Sequence, residues 1–123
     1  MATERILVAD DDPSLLSMVS WLLREHGYEV QTADRGNVVL EALEGPPPDL
    51  VLLDIMMPYV SGFDVLQEIR TFPHRESTPV IMLTAKGQPT DRTRALELGA
   101  TDFLTKPFSP NKLLGRIDEL FAG

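Results

Sequence analysis

The sequence predicts an α/β fold in which helices cover both faces of a parallel sheet. Apolar, strand-like runs alternate five times with segments of helical periodicity along 123 residues. The third run, at 50–53, is wholly apolar, which is typical of a strand buried on both faces. Because parallel strands need right-handed crossovers, five strand–helix units form a doubly wound (βα)5 sheet.

Composition and charge limit the functions of the chain. Hydrophobic residues make up 43% of the sequence and charged residues 24%, so we expect one globular domain over 1–123. No apolar run reaches the roughly 20 residues of a membrane span, and the run after Arg5 leaves no room for a signal peptide. The absence of cysteine fits a cytoplasmic location, and the net charge of −8 argues against direct nucleic-acid binding.

The first strand is predicted at 6–9 and is followed by a helix. Asp12 before Pro13 marks the start of this helix, because an Asp side chain accepts hydrogen bonds from first-turn amides. Proline suits the first helical position, since it has no N–H group that would need a hydrogen-bond acceptor there. Gly27 ends the helix, as a residue that easily adopts the left-handed conformation.

The second unit and the central strand follow. Residues 28–33 form a more polar strand, expected near an edge of the sheet, and 37–43 form a short helix that Gly45 closes. The central strand, 49–54, ends in Asp54, whose carboxylate at the end of an apolar strand needs compensation.

The second half of the chain repeats the pattern. The predicted elements are a helix at 62–70, a strand at 79–84, a helix at 89–98, a strand at 101–105 and a helix from 110. Gly99 ends the fourth helix, and Ser109 caps the fifth. The fourth helix has few large apolar residues, chiefly Ala95 and Leu98, so we expect it to be held loosely.

Polar side chains follow the carboxyl ends of four predicted strands. They are Asp10 and Asp11 after the first strand, Asp54 at the third, Thr84 at the fourth and Lys106 after the fifth. Because these ends share one edge of a parallel sheet, we expect the side chains to converge there. Three carboxylates repel each other and raise their own pKa values, and a hard divalent cation relieves this repulsion. Oxygen ligands without histidine or cysteine select Mg²⁺ or Mn²⁺, and such sites commonly add a phosphate.

Each of these residues has a simpler interpretation when taken alone. The acids after the first strand could be loop residues, Thr84 a strand cap and Lys106 a surface lysine, while Asp12 is expected only to cap its helix. Together, they favour a site for phosphoryl chemistry, in which Lys106 supplies a positive charge and Thr84 a hydroxyl.

Five short motifs identify one protein family. They are Ile6–Asp12, Leu53–Pro58 with Gly62, Leu83–Ala85, Gly99–Ala100 and Lys106–Phe108. With them, the chain resembles the receiver domain of bacterial two-component response regulators, from about Arg5 to Leu120. The resemblance implies a flavodoxin-like strand order, 2-1-3-4-5.

The resemblance also implies a phosphoacceptor site. Asp54 would accept a phosphoryl group from the phosphohistidine of a sensor histidine kinase or of a phosphotransfer protein. Asp11, Asp54 and the backbone carbonyl of Met56 would bind Mg²⁺ directly, and Asp10 would act largely through a bound water. Such a domain catalyses only its own phosphorylation and dephosphorylation, so we expect no enzyme activity on other substrates.

A switch is implied as well. Lys106 would pair with the phosphoryl group, and its peptide bond to Pro107 would be cis. Thr84 would hydrogen-bond to the phosphoryl group, and Phe103 would follow it inward. The surface of the fourth helix, fifth strand and fifth helix would then change.

Residues that border the expected phosphate site show how this chain should differ from other receivers. Ala85 keeps the site open, and Met56 and Lys86 occupy the two variable positions beside the phosphate. Met56 offers no polar side chain to position a hydrolytic water, so we expect slow self-dephosphorylation. Phe103 replaces the more frequent tyrosine and has no hydroxyl to offer a partner.

Charged residues near the C-terminus bear on the output. Asp102 and Arg116 resemble residues through which winged-helix regulators dimerise on the surface of the fourth helix, fifth strand and fifth helix. Thr101 and Lys112 stand where that class usually has acids, so one or more cross-dimer pairs should be missing. A homodimer through this surface is one expectation, and a solvated helix face is the alternative.

Three other functions fit parts of the pattern. A haloacid-dehalogenase-type phosphatase would need a second Asp where Met56 stands. A flavin mononucleotide binder would need a Ser/Thr/Gly-rich loop where Asp10–Asp12 would repel a phosphate. A pseudo-receiver would be a phosphorylation-independent interaction scaffold, but it usually lacks the acid pair, the acceptor or the lysine, all of which are present here.

Overall fold

Strands and helices alternate five times in the structure, as the sequence predicts. The computed structural model describes residues 3–58, 60–71, 78–84 and 89–122. The elements are β1 (Arg5–Ala9), α1 (Pro13–Glu25), β2 (Glu29–Ala33), α2 (Gly36–Leu43), β3 (Leu50–Asp54), α3 (Gly62–Thr71), β4 (Val80–Thr84), α4 (Pro89–Glu97), β5 (Asp102–Thr105) and α5 (Pro110–Ala122). The predicted boundaries agree with these to about one residue.

The strands form one parallel sheet in the order β2-β1-β3-β4-β5, which is the order that the resemblance implies. The register pairs Ala9 with Leu53, Asp54 with Leu83, and Thr84 with Thr105. The carboxyl ends of β1, β3, β4 and β5 therefore lie side by side. The more polar β2 lies at one edge of the sheet, as predicted.

Two apolar layers hold the sheet between its helices. Alternate residues of the strands point to opposite faces, because the side-chain period of a strand is two. Val39, Leu43, Leu66, Ile69 and Ala95, from α2, α3 and α4, cover one face. Val19, Leu23, Leu113 and Ile117, from α1 and α5, cover the other. Every residue of β3 is buried, which confirms the prediction of a central strand.

The predicted caps define the helix ends. Asp12 Oδ1 accepts a hydrogen bond from the Ser14 amide at 2.9 Å, and Ser109 Oγ accepts one from the Lys112 amide at 3.1 Å. Gly27 and Gly99 have φ angles of +94° and +101°, so both occupy the left-handed region that favours glycine. None of the described helices combines the length and the apolar character that crossing a bilayer would need.

Candidate functional site

Three acids meet at the carboxyl edge of the sheet. Asp10 follows β1 and is fully buried, Asp54 ends β3 and is 3% exposed, and Asp11 is exposed. One carboxylate oxygen from each lies within 4.8 Å of the others. The Asp10 amide donates to the carbonyl of Ala33 at 3.0 Å, so the backbone pairing of β1 with β2 continues up to the first acid. The predicted convergence of these residues is present in the fold.

Lys106 connects two of the acids. Its Nζ donates to the Asp10 carboxylate and to Asp54 Oδ1, the latter at 3.3 Å. Its backbone amide donates to the carbonyl of Thr84 at 2.6 Å, which fixes the residue after β5 against the end of β4. The Lys106–Pro107 peptide bond is cis, as the resemblance implies, and Pro107 is exposed.

Burial and charge change the acidity of the Asp54 carboxyl group. Desolvation by burial and, next, the negative charge of Asp10 raise the pKa of Asp54 from 3.8 to about 6. The charge and hydrogen bond of Lys106 and a hydrogen bond from the Met56 backbone oppose this rise. At neutral pH Asp54 is therefore mostly ionised, although its environment favours the neutral form.

The Lys106 ammonium stays charged in the same environment. Burial alone would lower its pKa, but the hydrogen bond to Asp10 and the charges of Asp54 and Asp10 outweigh burial, and the pKa of Lys106 is raised. One cation thus contacts two buried acids, and a third acid, the exposed Asp11, lies beside them.

The two predicted switch residues lie on neighbouring strands. Thr84 ends β4 and is 2% exposed. Phe103, on β5, is half-buried and packs against the apolar layer that α2, α3 and α4 share. Thr84 is therefore at the site edge, and Phe103 lies between the sheet and the helices that follow β3 and β4.

Of the residues predicted to border the phosphate, Met56 projects into solvent. Its side chain is 73% exposed, and its backbone hydrogen-bonds to the Asp54 carboxylate. Ala85 and Lys86 lie outside the residues that the structure describes.

The packing of Gly62 is a feature that its motif alone did not explain. Its amide donates to the carbonyl of Ile55 at 2.8 Å. A Cβ atom at this position would lie 2.2 Å from the backbone oxygen of Asp54, well inside van der Waals contact. Only glycine lets α3 begin so close to the end of β3. The sequence signal was present, as a glycine at a helix start, but the distance depends on how the loop folds back.

The donor set of this site fits a hard divalent cation. Three carboxylates supply only oxygen ligands, two of them buried, and no described histidine contributes to the cluster. Such ligands are those that Mg²⁺ prefers in proteins, commonly with water and phosphate oxygens completing its octahedron.

Comparisons with known proteins agree with this geometry. Residues 6–118 match the family profile of the response regulator receiver domain. The probable transcriptional regulator ycf27 from Galdieria sulphuraria is 47% identical over 114 residues, which cover 93% of this chain and 44% of that protein. The chain spans about half the length of the transcriptional regulators that it matches.

Solved structures share the whole fold. The chemotaxis protein CheY4 from Vibrio cholerae superimposes with a TM-score of 0.92 at 34% identity, over 96% of this chain and 98% of that one. The receiver domain of sensor histidine kinase PA1611 from Pseudomonas aeruginosa PAO1 gives 0.91 at 29% identity, over 99% and 100% of the two chains. That structure has a magnesium ion coordinated in its active site cleft.

Proposed function

The chain belongs to the receiver domain family of two-component response regulators, and we propose that it is a switch in which Asp54 accepts a phosphoryl group from a histidine kinase or phosphotransfer protein. One observation carries the proposal: a buried carboxylate at a strand end lies beside a second buried carboxylate, and one lysine contacts both. An Asp with a purely structural role would not need both a positively charged lysine and a second carboxylate beside it. The interaction scaffold is the alternative, and the complete set of site residues argues against it.

The proposed transfer uses the Asp54 carboxylate as the nucleophile. One of its oxygens attacks the phosphorus of the donor phosphohistidine, a new P–O bond forms, and the P–N bond breaks with its electron pair leaving on the imidazole nitrogen. With a pKa of about 6, Asp54 is available in its ionised form at pH 7. Lys106, 3.3 Å from Asp54 Oδ1, is placed to neutralise the added phosphoryl charge.

Magnesium is the cofactor that this site would use. Asp10, Asp11 and Asp54 would hold the ion together with the Met56 backbone carbonyl, Asp10 largely through a water. When bound, the ion supplies positive charge to the phosphoryl oxygens during transfer. The acids would hold the ion at the same edge of the sheet as Lys106, so that both positive charges would act on one acceptor.

The output surface would be formed by α4, β5 and α5. Thr84 and Phe103 are proposed to carry the change from the site to this surface, since one lies at the site edge and the other in the layer beneath α4. Arg116 Nη1 donates to Asp102 Oδ2 within one chain. A homodimer through this surface would therefore have to use or replace this ion pair. The other proposed output is the control of an effector domain in a longer protein.

Intact mass spectrometry tests the phosphoacceptor directly. The protein is incubated with Mg²⁺ and acetyl phosphate, and in parallel with phosphoramidate, which offers a P–N bond. We expect one added phosphoryl group that is lost without Mg²⁺ and in Asp54→Asn. Asp12→Asn is the matched control, because the Asp12 side chain caps α1 by accepting a hydrogen bond from the Ser14 amide, and asparagine can also cap a helix.

Two results would contradict the proposal. An adduct of equal yield in Asp54→Asn would place the acceptor elsewhere. A folded wild-type protein that accepts phosphate from neither donor would favour the scaffold.

A further inference from the structure

The α4 helix has a small apolar anchor. Of the side chains described in α4, Ala95 alone is buried, and Leu96 is 46% exposed. Leu98, just beyond the helix, is half-buried. Because apolar burial is normally what fixes a helix to its sheet, other contacts must largely determine how firmly α4 is held.

One such contact joins the last turn of α4 to the start of α3. The guanidinium carbon of Arg94 lies 4.4 Å from the centroid of the Phe63 ring, within the range of a cation–π interaction. Phe63 is 5% exposed, so its position is fixed by the packing around it, whereas Arg94 is exposed. The contact therefore joins α4, which has little apolar burial, to a ring that is held in place by the packing around α3.

Phe63 is itself joined closely to the phosphoacceptor. It follows Gly62, whose Cα lies so near the end of β3 that an added Cβ would be 2.2 Å from the Asp54 carbonyl oxygen. The Gly62 amide donates to Ile55 at 2.8 Å, and the Ile55 amide donates to Leu83 at 3.0 Å. A displacement of the backbone after Asp54 must then displace the first turn of α3, and the Phe63 ring with it.

A second arginine fixes the turn that follows α4. Arg70, in the last turn of α3, donates through Nη2 and Nε to the carbonyl of Gly99 at 2.6 and 3.1 Å. Its Nη1 donates to the carbonyl of Thr78 at 2.7 Å, just before β4. The turn after α4 is thus fixed at Gly99, and a loss of the Arg94 contact would leave α4 free to pivot about that turn.

We propose that Arg94 is a positioning residue whose contact with Phe63 holds α4 in the arrangement that accompanies an unmodified Asp54 carboxylate. This rests on the proposed role of Asp54 as phosphoacceptor. Phosphorylation displaces the backbone after Asp54 and weakens the contact, so the signal reaches α4 through α3 as well as through Thr84 and Phe103. Because coupling is reciprocal, a contact that opposes the phosphorylated arrangement also lowers the affinity of the site for a phosphoryl group.

Three variants and a phosphoryl mimic test this role. Arg94→Gln removes the cation, Arg94→Lys keeps a cation over the ring, and Arg92→Gln is the matched control on the same helix. Amide hydrogen exchange of α4 is measured without ligand, and the affinity for beryllofluoride is measured with Mg²⁺ present. For Arg94→Gln we expect exchange about two- to fivefold faster and beryllofluoride affinity higher by about the same factor, the size of an exposed cation–π interaction.

The conservative and control variants separate positioning from general stability. Arg94→Lys should restore most of both effects, and Arg92→Gln should change neither. Phe63→Leu combined with Arg94→Gln should bind the mimic no more tightly than Arg94→Gln alone, since both remove the same contact. A merely structural role for Arg94 would speed exchange without raising the affinity for the mimic.

The failures of the two proposals are distinguishable. If the wild-type protein with Mg²⁺ does not bind beryllofluoride, the phosphoacceptor function fails and the role of Arg94 fails with it. If the wild type binds the mimic but Arg94→Gln binds it with unchanged affinity, only the role of Arg94 is overturned. An equal gain in Arg92→Gln would overturn it too.

Discussion

Replacing Asp54 by asparagine should make the metal-free protein more stable above pH 6. The structure raises the pKa of Asp54 from 3.8 to about 6, mainly by burial. Because the folded state prefers the protonated group, the folded protein loses stability as pH rises from about 4 to about 6, and the loss is complete above that range. The difference between the two pKa values corresponds to about 3 kcal/mol of unfolding free energy.

Asparagine keeps the shape of the side chain but cannot ionise. It loses the attraction of Lys106, which lies 3.3 Å from Asp54 Oδ1, so the expected gain is smaller than the full value. We expect Asp54→Asn to raise the unfolding free energy by about 1–3 kcal/mol at pH 8 and to leave it nearly unchanged at pH 4.

Urea unfolding in the presence of a chelator measures this difference. The slope of free energy against urea should be the same in both proteins, so that the midpoint shift reports stability. Asp12→Asn, at the exposed helix cap, should show no comparable gain. A gain that is equal at pH 4 and pH 8, or no gain at pH 8, would refute the reasoning, because the cost would not then arise from ionisation of Asp54.

Three further predictions concern the metal, the backbone and the lifetime of the phosphoryl group. Mg²⁺ at about 100 times its dissociation constant should stabilise the wild-type protein by about 2.7 kcal/mol, and a thermal shift with Asp11→Asn should show a smaller gain. Gly62→Ala should destabilise the fold by about 1–3 kcal/mol and slow phosphorylation, because the added Cβ would lie 2.2 Å from the backbone carbonyl oxygen of Asp54. Gly115→Ala, on α5 with nothing within 4 Å of its added Cβ, should instead stabilise by about 1 kcal/mol, and urea unfolding compares the two. Met56→Asn should shorten the lifetime of the phosphoryl adduct severalfold, since its exposed position can then hold a hydrolytic water, and the decay of the adduct mass measures it. A wild-type adduct that decays within seconds would contradict the last prediction.

The elements were predictable because local chemistry marks their ends. The side chains of Asp12 and Ser109 accept hydrogen bonds from first-turn amides, as predicted for helix caps. Gly27 and Gly99 adopt the predicted left-handed conformation. The width of the apolar stripe of α5 could not be predicted from the sequence. Of the apolar residues that recur at helical spacing in α5, Leu113 and Ile117 are buried, whereas Leu114 and Leu120 are half-buried. Periodicity identifies a stripe, but its width depends on how closely the helix packs on the sheet.

The residues that meet at the site could be predicted from the sequence, but the contacts around them could not. Parallel strands bring their carboxyl ends together, so the meeting of Asp10, Asp54 and Lys106 follows from the order of the strands. The contacts of long side chains do not follow in this way. Neither Arg70 nor Arg94 stands in a motif, and each could reach several partners from its helix, so only the packed structure shows that one binds Gly99 and the other Phe63. The sequence predicted that α4 is poorly anchored by apolar residues, but not what holds it instead.

The position of Lys106 explains why a change at one carboxylate can affect much of the sheet edge. Its ammonium contacts Asp10 after β1 and Asp54 at the end of β3, while its backbone amide bonds to Thr84 at the end of β4. A phosphoryl group on Asp54 would add negative charge that competes with Asp10 for this one cation. The side chain of Lys106 would then be shared between the phosphoryl group and Asp10, and its contacts belong to different strands. Under the proposed function, phosphorylation of Asp54 would thereby affect the strand ends from which α4 and α5 continue.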